Sequence, residues 1–109
     1  MSIDRSRLEA AAHALADSPT VALACHIGPD GDALGSMLGL AIAAANEGKE
    51  VVASFGSPHQ MPPSLTFLPD GHLVPPERFP ESPRLMVVLD AGSEERLGDL
   101  AANGNRADT

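Results

Sequence analysis

Four residues of this sequence have the types and spacing to do chemistry together: His26, Asp30, Asp32 and Asp90. One imidazole with three carboxylates is a mixed nitrogen and oxygen donor set, suited to Mn²⁺ or Mg²⁺ and short of the thiolates that favour structural zinc. In the segment HIGPDGD, the alternation Asp30-Gly31-Asp32 turns two carboxylates out of one tight bend, so that each can reach a different cation. Gly31 gives the backbone freedom at the pinch. Two cations roughly 3.5 to 4 Å apart activate a bridging water and neutralise charge on a phosphoryl group. The bend also feeds a helix whose first amides, near Ala33 to Ser36, can receive an anion. Each residue has a plainer explanation when taken alone. An Asp-Gly-Asp bend before a helix is an ordinary cap, Asp90 could cap a helix beginning at Ser93, and His26 could be a hydrogen-bonded boundary histidine. The joint placement is what favours metal binding, since capping asks for no histidine four residues before Asp30.

The elements that must bring these residues together are legible from the apolar runs. TVALAC, residues 20–25, has no polar alternation, which is the pattern of a strand covered on both faces in a parallel sheet. ALGSMLGLAIAAANEGK follows, with Leu34, Met37, Leu38, Ala41, Ile42 and Ala45 on one face. Leu40 and Ala44 make its other face apolar, Gly35 and Gly39 allow close approach to a neighbour, and Gly48 terminates it. EVVASF (50–55) and RLMVVLDAG (84–92) are the second and third strands. An earlier segment places Leu8, Ala11, Ala12 and Leu15 at helical spacing, with Ser6 and Glu9 in capping-box register and Ser18-Pro19 as its end. A last helix is expected over SEERLGDLAANGN, capped by Ser93. Strand, helix, strand is a βαβ unit, so the fold class is α/β, a parallel sheet with helices on both faces and three strands present. In such sheets ligands bind beyond the carboxyl ends of the strands, where the strand order reverses. With the order 2-1-3, His26, Asp30, Asp32 and Asp90 converge on one cleft there.

Composition narrows the function classes. The chain has 109 residues, 15 acidic against 7 basic, and a formal charge of -8, which excludes a protein that holds nucleic acid by a basic surface alone. A phosphate site here needs another source of positive charge, and bound cations supply it. Apolar residues make up 43% but aromatics only 3%, so the core falls to Ala, Leu, Val and Ile. The most apolar stretch, 33–45, is 13 residues long, short of the roughly 20 that span a bilayer. Asp4, Glu9 and Asp17 interrupt any secretory signal, which points to a cytoplasmic chain without a membrane partner. The lone Cys25 excludes an internal disulfide and sits in an apolar strand, where it is a small buried residue and no nucleophile. Met37 and Met86 are core filler by the same logic. His13 belongs to the first helix, and His59 and His72 to the segment 57–83, which holds eight of the ten prolines and has no periodicity. A connection of that length is functional or mobile in most compact domains.

HIGPDGDALGS, residues 26–36, resembles the first motif of the DHH-family phosphoesterases, and VVLDAGSEERLG their second, with Asp90 as its acidic residue. Within that family the wording is closest to the bacterial oligoribonucleases that also dephosphorylate 3′-phosphoadenosine 5′-phosphate; family II inorganic pyrophosphatases and single-strand exonucleases have related but differently spelled first motifs. The resemblance implies that His26 and Asp30 bind one Mn²⁺, Asp32 the second, and that Asp90 bridges both, with Asp30, Asp32 and Asp90 as catalytic carboxylates. It further implies hydrolysis of short oligoribonucleotides or of a nucleotide 3′-phosphate. The Asp-His-His motif that names the family, the metal-binding aspartate after it and the C-terminal substrate domain have no counterpart in these residues. The chain is therefore expected to be the N-terminal part of a truncated DHH-type catalytic domain, inactive by itself, with the third strand presenting an unpaired edge. Ligand counting agrees, because two cations of five- or six-fold coordination need on the order of ten bonds. Pyrophosphate hydrolysis at the same metals is the alternative enzyme, and a non-catalytic metal-binding module the alternative outside enzymes.

Overall fold

Three parallel strands form one sheet, in the order β2-β1-β3, in a computed structural model that describes residues 4–109. β1 is Thr20–Cys25, β2 is Glu50–Phe55 and β3 is Met86–Leu89. β1 pairs with β2 from Thr20–Glu50 through Cys25–Phe55, and with β3 from Ala22–Met86 through Cys25–Leu89. The first two strands coincide with the apolar runs that predict them. The third is shorter than 84–92, and Asp90 follows it with φ of 56°, a left-handed conformation that breaks the extended backbone.

Both faces of β1 are buried, and its alternating side chains set the two layers. Val21, Leu23 and Cys25 face a cluster with Leu34, Met37, Leu38 and Ala41 of helix α2, Gly31–Asn46. Each such leucine, fully buried, contributes on the order of 1.5–3 kcal/mol. On the opposite face Ala22 and Ala24 are small, and Leu97, Leu100 and Phe79 fill the layer above them. Helix α2 starts at the Asp30 cap, carries Asp32 in its first turn and ends before Gly48, whose φ of 84° suits a residue without a Cβ. Ile42, expected inward, is 40% exposed, and Gly35 and Gly39 face open space with no neighbour within 4 Å of where a methyl would sit. Ala33 and Ala44 take the buried positions instead, which rotates the inward stripe away from Ile42.

Helix α1, Arg5–Asp17, begins two residues earlier than the Ser6 capping box predicts. Its cap is Asp4, whose Oδ1 accepts both the Ser6 amide and hydroxyl, bonds that also hold the Asp4 carboxyl below its usual range. Only Ala14 and Leu15 reach the core, while Leu8 stays 56% exposed. At the far end the Lys49 ammonium donates to the Ser18 carbonyl at 2.7 Å and the Ala16 carbonyl at 3.4 Å, tying the helix end to the turn before β2.

The helix expected over 93–105 is broken. A 3₁₀ segment, Glu94–Leu100, precedes a short helix α3, Ala101–Asn105, and Ser93 makes no side-chain cap. Gly98, at φ 55° and ψ -125°, leaves helical space inside the segment, a conformation that periodicity cannot reveal. The proline-rich segment 57–83 is anchored and not slack. Leu73 bridges to Ala53 on the outer edge of β2, with the Ala53 amide donating to the His72 carbonyl and the Val74 amide to the Ala53 carbonyl, both at 2.8 Å. The free edge expected at β3 is paired at its beginning, where the Thr109 amide donates to the Arg84 carbonyl and its carbonyl accepts from the Met86 amide. Among the described residues no helix is long and apolar enough to cross a membrane.

Candidate metal centre

Register alone brings two of the four predicted residues together. Cys25 pairs with Leu89 as the last rung between β1 and β3, so the next residue on each strand, His26 and Asp90, emerge side by side at the carboxyl end of the sheet. Their separation is 3.5 Å from His26 Nε2 to Asp90 Oδ2. After His26 the chain turns through Gly28, at φ 62°, and the buried Pro29, and returns Asp30 to the same place, with Oδ1 at 3.9 Å from Nε2. One donor atom from each of His26, Asp30 and Asp90 lies within 4.8 Å of the other two, so this group could hold a metal ion. Asp32 stands outside the group, exposed in the first turn of α2.

Asp30 is both cap and candidate ligand, so the two explanations weighed for it are compatible. Its Oδ1 accepts the Ala33 amide at 2.9 Å, while its side chain remains 63% exposed on the side of His26. The second oxygen keeps its lone pairs for another partner. Asp90, half-exposed, holds its left-handed backbone at a cost that aspartate bears better than most residues.

The imidazole decides what the group wants. His26 is buried, and its Nδ1 lies 2.8 Å from the Ile27 carbonyl. A carbonyl only accepts, so Nδ1 carries the hydrogen and Nε2 of the neutral ring presents a lone pair toward two carboxylates. Three sets of lone pairs face one point. Only a proton on Nε2 or a cation between them makes the arrangement attractive, and among the described residues no Lys or Arg forms an ion pair with Asp30 or Asp90. The chemistry of the donor set therefore fits a hard divalent cation with one nitrogen and two oxygen ligands.

Cys25 lies directly beneath. Burial, then the negative charges of Asp90 and Asp30, push its thiol from the usual 9.0 to about 12. It is thus no thiolate ligand or nucleophile at neutral pH. A thiol that ionises more easily when unfolded stabilises the fold fully below pH 9 and loses that contribution as pH rises toward 12. Urea unfolding at about pH 8 and about pH 10.5 is expected to show wild type losing more stability than Cys25→Ala, by at most about 1.4 kcal/mol per pH unit. Equal losses would contradict the burial of the Cys25 thiol.

The other histidines stay apart from the group. His13 is exposed on α1, His59 bonds the Phe55 carbonyl through Nδ1 and stacks on the Phe55 ring, and His72 uses its carbonyl on β2. Sequence reasoning did not single out Ile27, whose carbonyl fixes the His26 tautomer; a backbone partner leaves no mark on residue types.

No family model matches the sequence. The fold is similar to that of an exopolyphosphatase-related protein from Bacteroides fragilis, with a TM-score of 0.82 at 19% identity. The likeness covers 95% of this chain and 33% of that protein, so the chain spans about a third of its neighbour's length. At that identity the shared α/β architecture is what the likeness establishes.

Proposed function

We propose that this chain supplies the first metal-binding part of a phosphoester hydrolase that works with two Mn²⁺ ions, or Mg²⁺ in their place, on short oligoribonucleotides or a nucleotide 3′-phosphate. The observation that carries it is the convergence of His26 Nε2 with the carboxylates of Asp30 and Asp90. His26, Asp30 and Asp90 would hold one cation; Asp32, one residue into α2, would reach the second, with Asp90 shared between them. Bound cations would supply charge neutralisation for the phosphoryl group and an activated water. The chain's own residues hold and orient: His26 is locked by Ile27, Asp30 by the Ala33 amide, and Asp90 by its register with His26. The further ligands that two ions need would come from residues outside these 109, and the chain alone would be inactive.

Hydrolysis of a phosphoanhydride is the second reading, favoured by the likeness in fold to an exopolyphosphatase-related protein. Turnover of a short oligoribonucleotide, 3′-phosphoadenosine 5′-phosphate, pyrophosphate and polyphosphate by a polypeptide that supplies those further ligands, each with Mn²⁺, separates the two. Faster release of phosphate from the nucleotide substrates is expected. Faster cleavage of the anhydrides would transfer the proposal to the second reading, and turnover unaffected by a chelator would remove the metal from both.

A further inference from the structure

We infer that Ile27, seated against Gly56 and Gly98, is a positioning residue that sets the orientation of the His26 imidazole; the inference rests on the metal-site reading above and adds to it. Ile27 joins two hydrogen bonds in series. Its amide donates to the Arg96 carbonyl at 2.7 Å, and its carbonyl accepts from His26 Nδ1 at 2.8 Å. The peptide planes on either side of Ile27 thereby link the segment after β3 to the ring.

The side chain of Ile27 fixes the same point sterically. A methyl at Gly98 would lie 2.7 Å from Ile27 Cγ2, and one at Gly56 would lie 2.9 Å from that atom and 2.7 Å from the Leu97 carbonyl oxygen. Contacts so short are unattainable for a real Cβ, so both glycines are needed for the three segments to close on one another. Gly98 also takes φ 55°, which an L side chain rarely adopts. Beside them, the Ser57 hydroxyl and amide both donate to Asp99 Oδ2, at 2.5 and 3.3 Å, fastening the end of β2 to the same segment. The carboxyl ends of β1 and β2 and the stretch 96–99 are thus held together directly behind His26, without any of these side chains belonging to the ligand group.

Groups that orient a metal-ligating histidine typically change affinity 10- to 100-fold when removed. The test uses the 109-residue chain as it is, with Mn²⁺ alone as probe for calorimetric affinity and ¹⁵N ring shifts of His26 in the cation-free protein for its tautomer. Gly98→Ala is expected to weaken Mn²⁺ binding about tenfold or more and to mix the tautomers, and adding Ile27→Ala is expected to recover a part of both. Asp99→Ala, which introduces no clash, is expected to weaken binding severalfold with the circular dichroism unchanged, and it carries the test if Gly98→Ala does not fold. Wild-type affinity and tautomer in a folded Gly98→Ala, or in Asp99→Ala where the former is unfolded, would overturn the inference. If wild type itself binds no Mn²⁺ the metal reading falls, while the tautomer shifts still decide whether Ile27 positions the ring.

Discussion

Asp90→Asn is expected to abolish most Mn²⁺ binding, by about a hundredfold or more, and at the same time to raise the melting temperature of the cation-free chain. The first effect follows from losing a ligand outright, where loss of a mere supporting group already costs 10- to 100-fold. The second follows from the geometry. Asp30 and Asp90 present carboxylate oxygens within 4.8 Å of each other, with only the His26 imidazole as an ion-pair partner for either among the described residues. Two like charges at that spacing repel by about 1 kcal/mol in a water-like dielectric, which for a domain of this size is worth a few degrees. Asparagine keeps the shape and tolerates the left-handed backbone at position 90, so the charge is the principal change. With saturating Mn²⁺ the order should invert, since a hundredfold excess over Kd stabilises wild type by about 2.7 kcal/mol and the variant hardly at all. Differential scanning calorimetry with and without the cation reads all four values. A variant that is less stable in both conditions would mean that Asp90 is a structural residue.

Asp30 separates capping from ligation. Asp30→Ser retains an oxygen for the Ala33 amide, whereas Asp30→Ala leaves that amide without its partner. Both should lose Mn²⁺ affinity by a similar, large factor. Only the alanine variant should lose helix stability, by roughly 0.5–2 kcal/mol, and serine should stay near wild type. Urea midpoints and Mn²⁺ calorimetry on the two variants suffice. Equal stabilities would show that the cap is dispensable, and retained affinity in serine would remove Asp30 from the metal centre.

Much of this architecture was legible in the residues because the signals are local and strong. TVALAC and EVVASF are short apolar runs that end in polar or turn residues, and both are strands over the full range expected of them. The convergence of His26 and Asp90 was legible once the strand order was assumed, because parallel register places consecutive strand ends side by side. The alternation Asp30-Gly31-Asp32 assigns Asp32 to a different cation from Asp30, and in the fold Asp32 lies in the first turn of α2, outside the trio. The last helix failed for a different reason. SEERLGDLAANGN has helical composition, but Gly98 leaves helical space at φ 55° and ψ -125°, a backbone state that leaves no mark in the apolar periodicity. The proline-rich segment lacked periodicity because its contacts are single anchors, Leu73 on Ala53 and Phe79 in the core, which repeat at no fixed interval. Gly35 and Gly39 carried a packing expectation that no neighbour in the described residues fulfils.

Crystals of the chain soaked in Mn²⁺ and measured for anomalous scattering offer the most direct test of the central claim. A peak within about 2.6 Å of His26 Nε2 and of a carboxylate oxygen from both Asp30 and Asp90 is the result expected. Full occupancy by Mn²⁺ elsewhere with nothing between these three residues would contradict it.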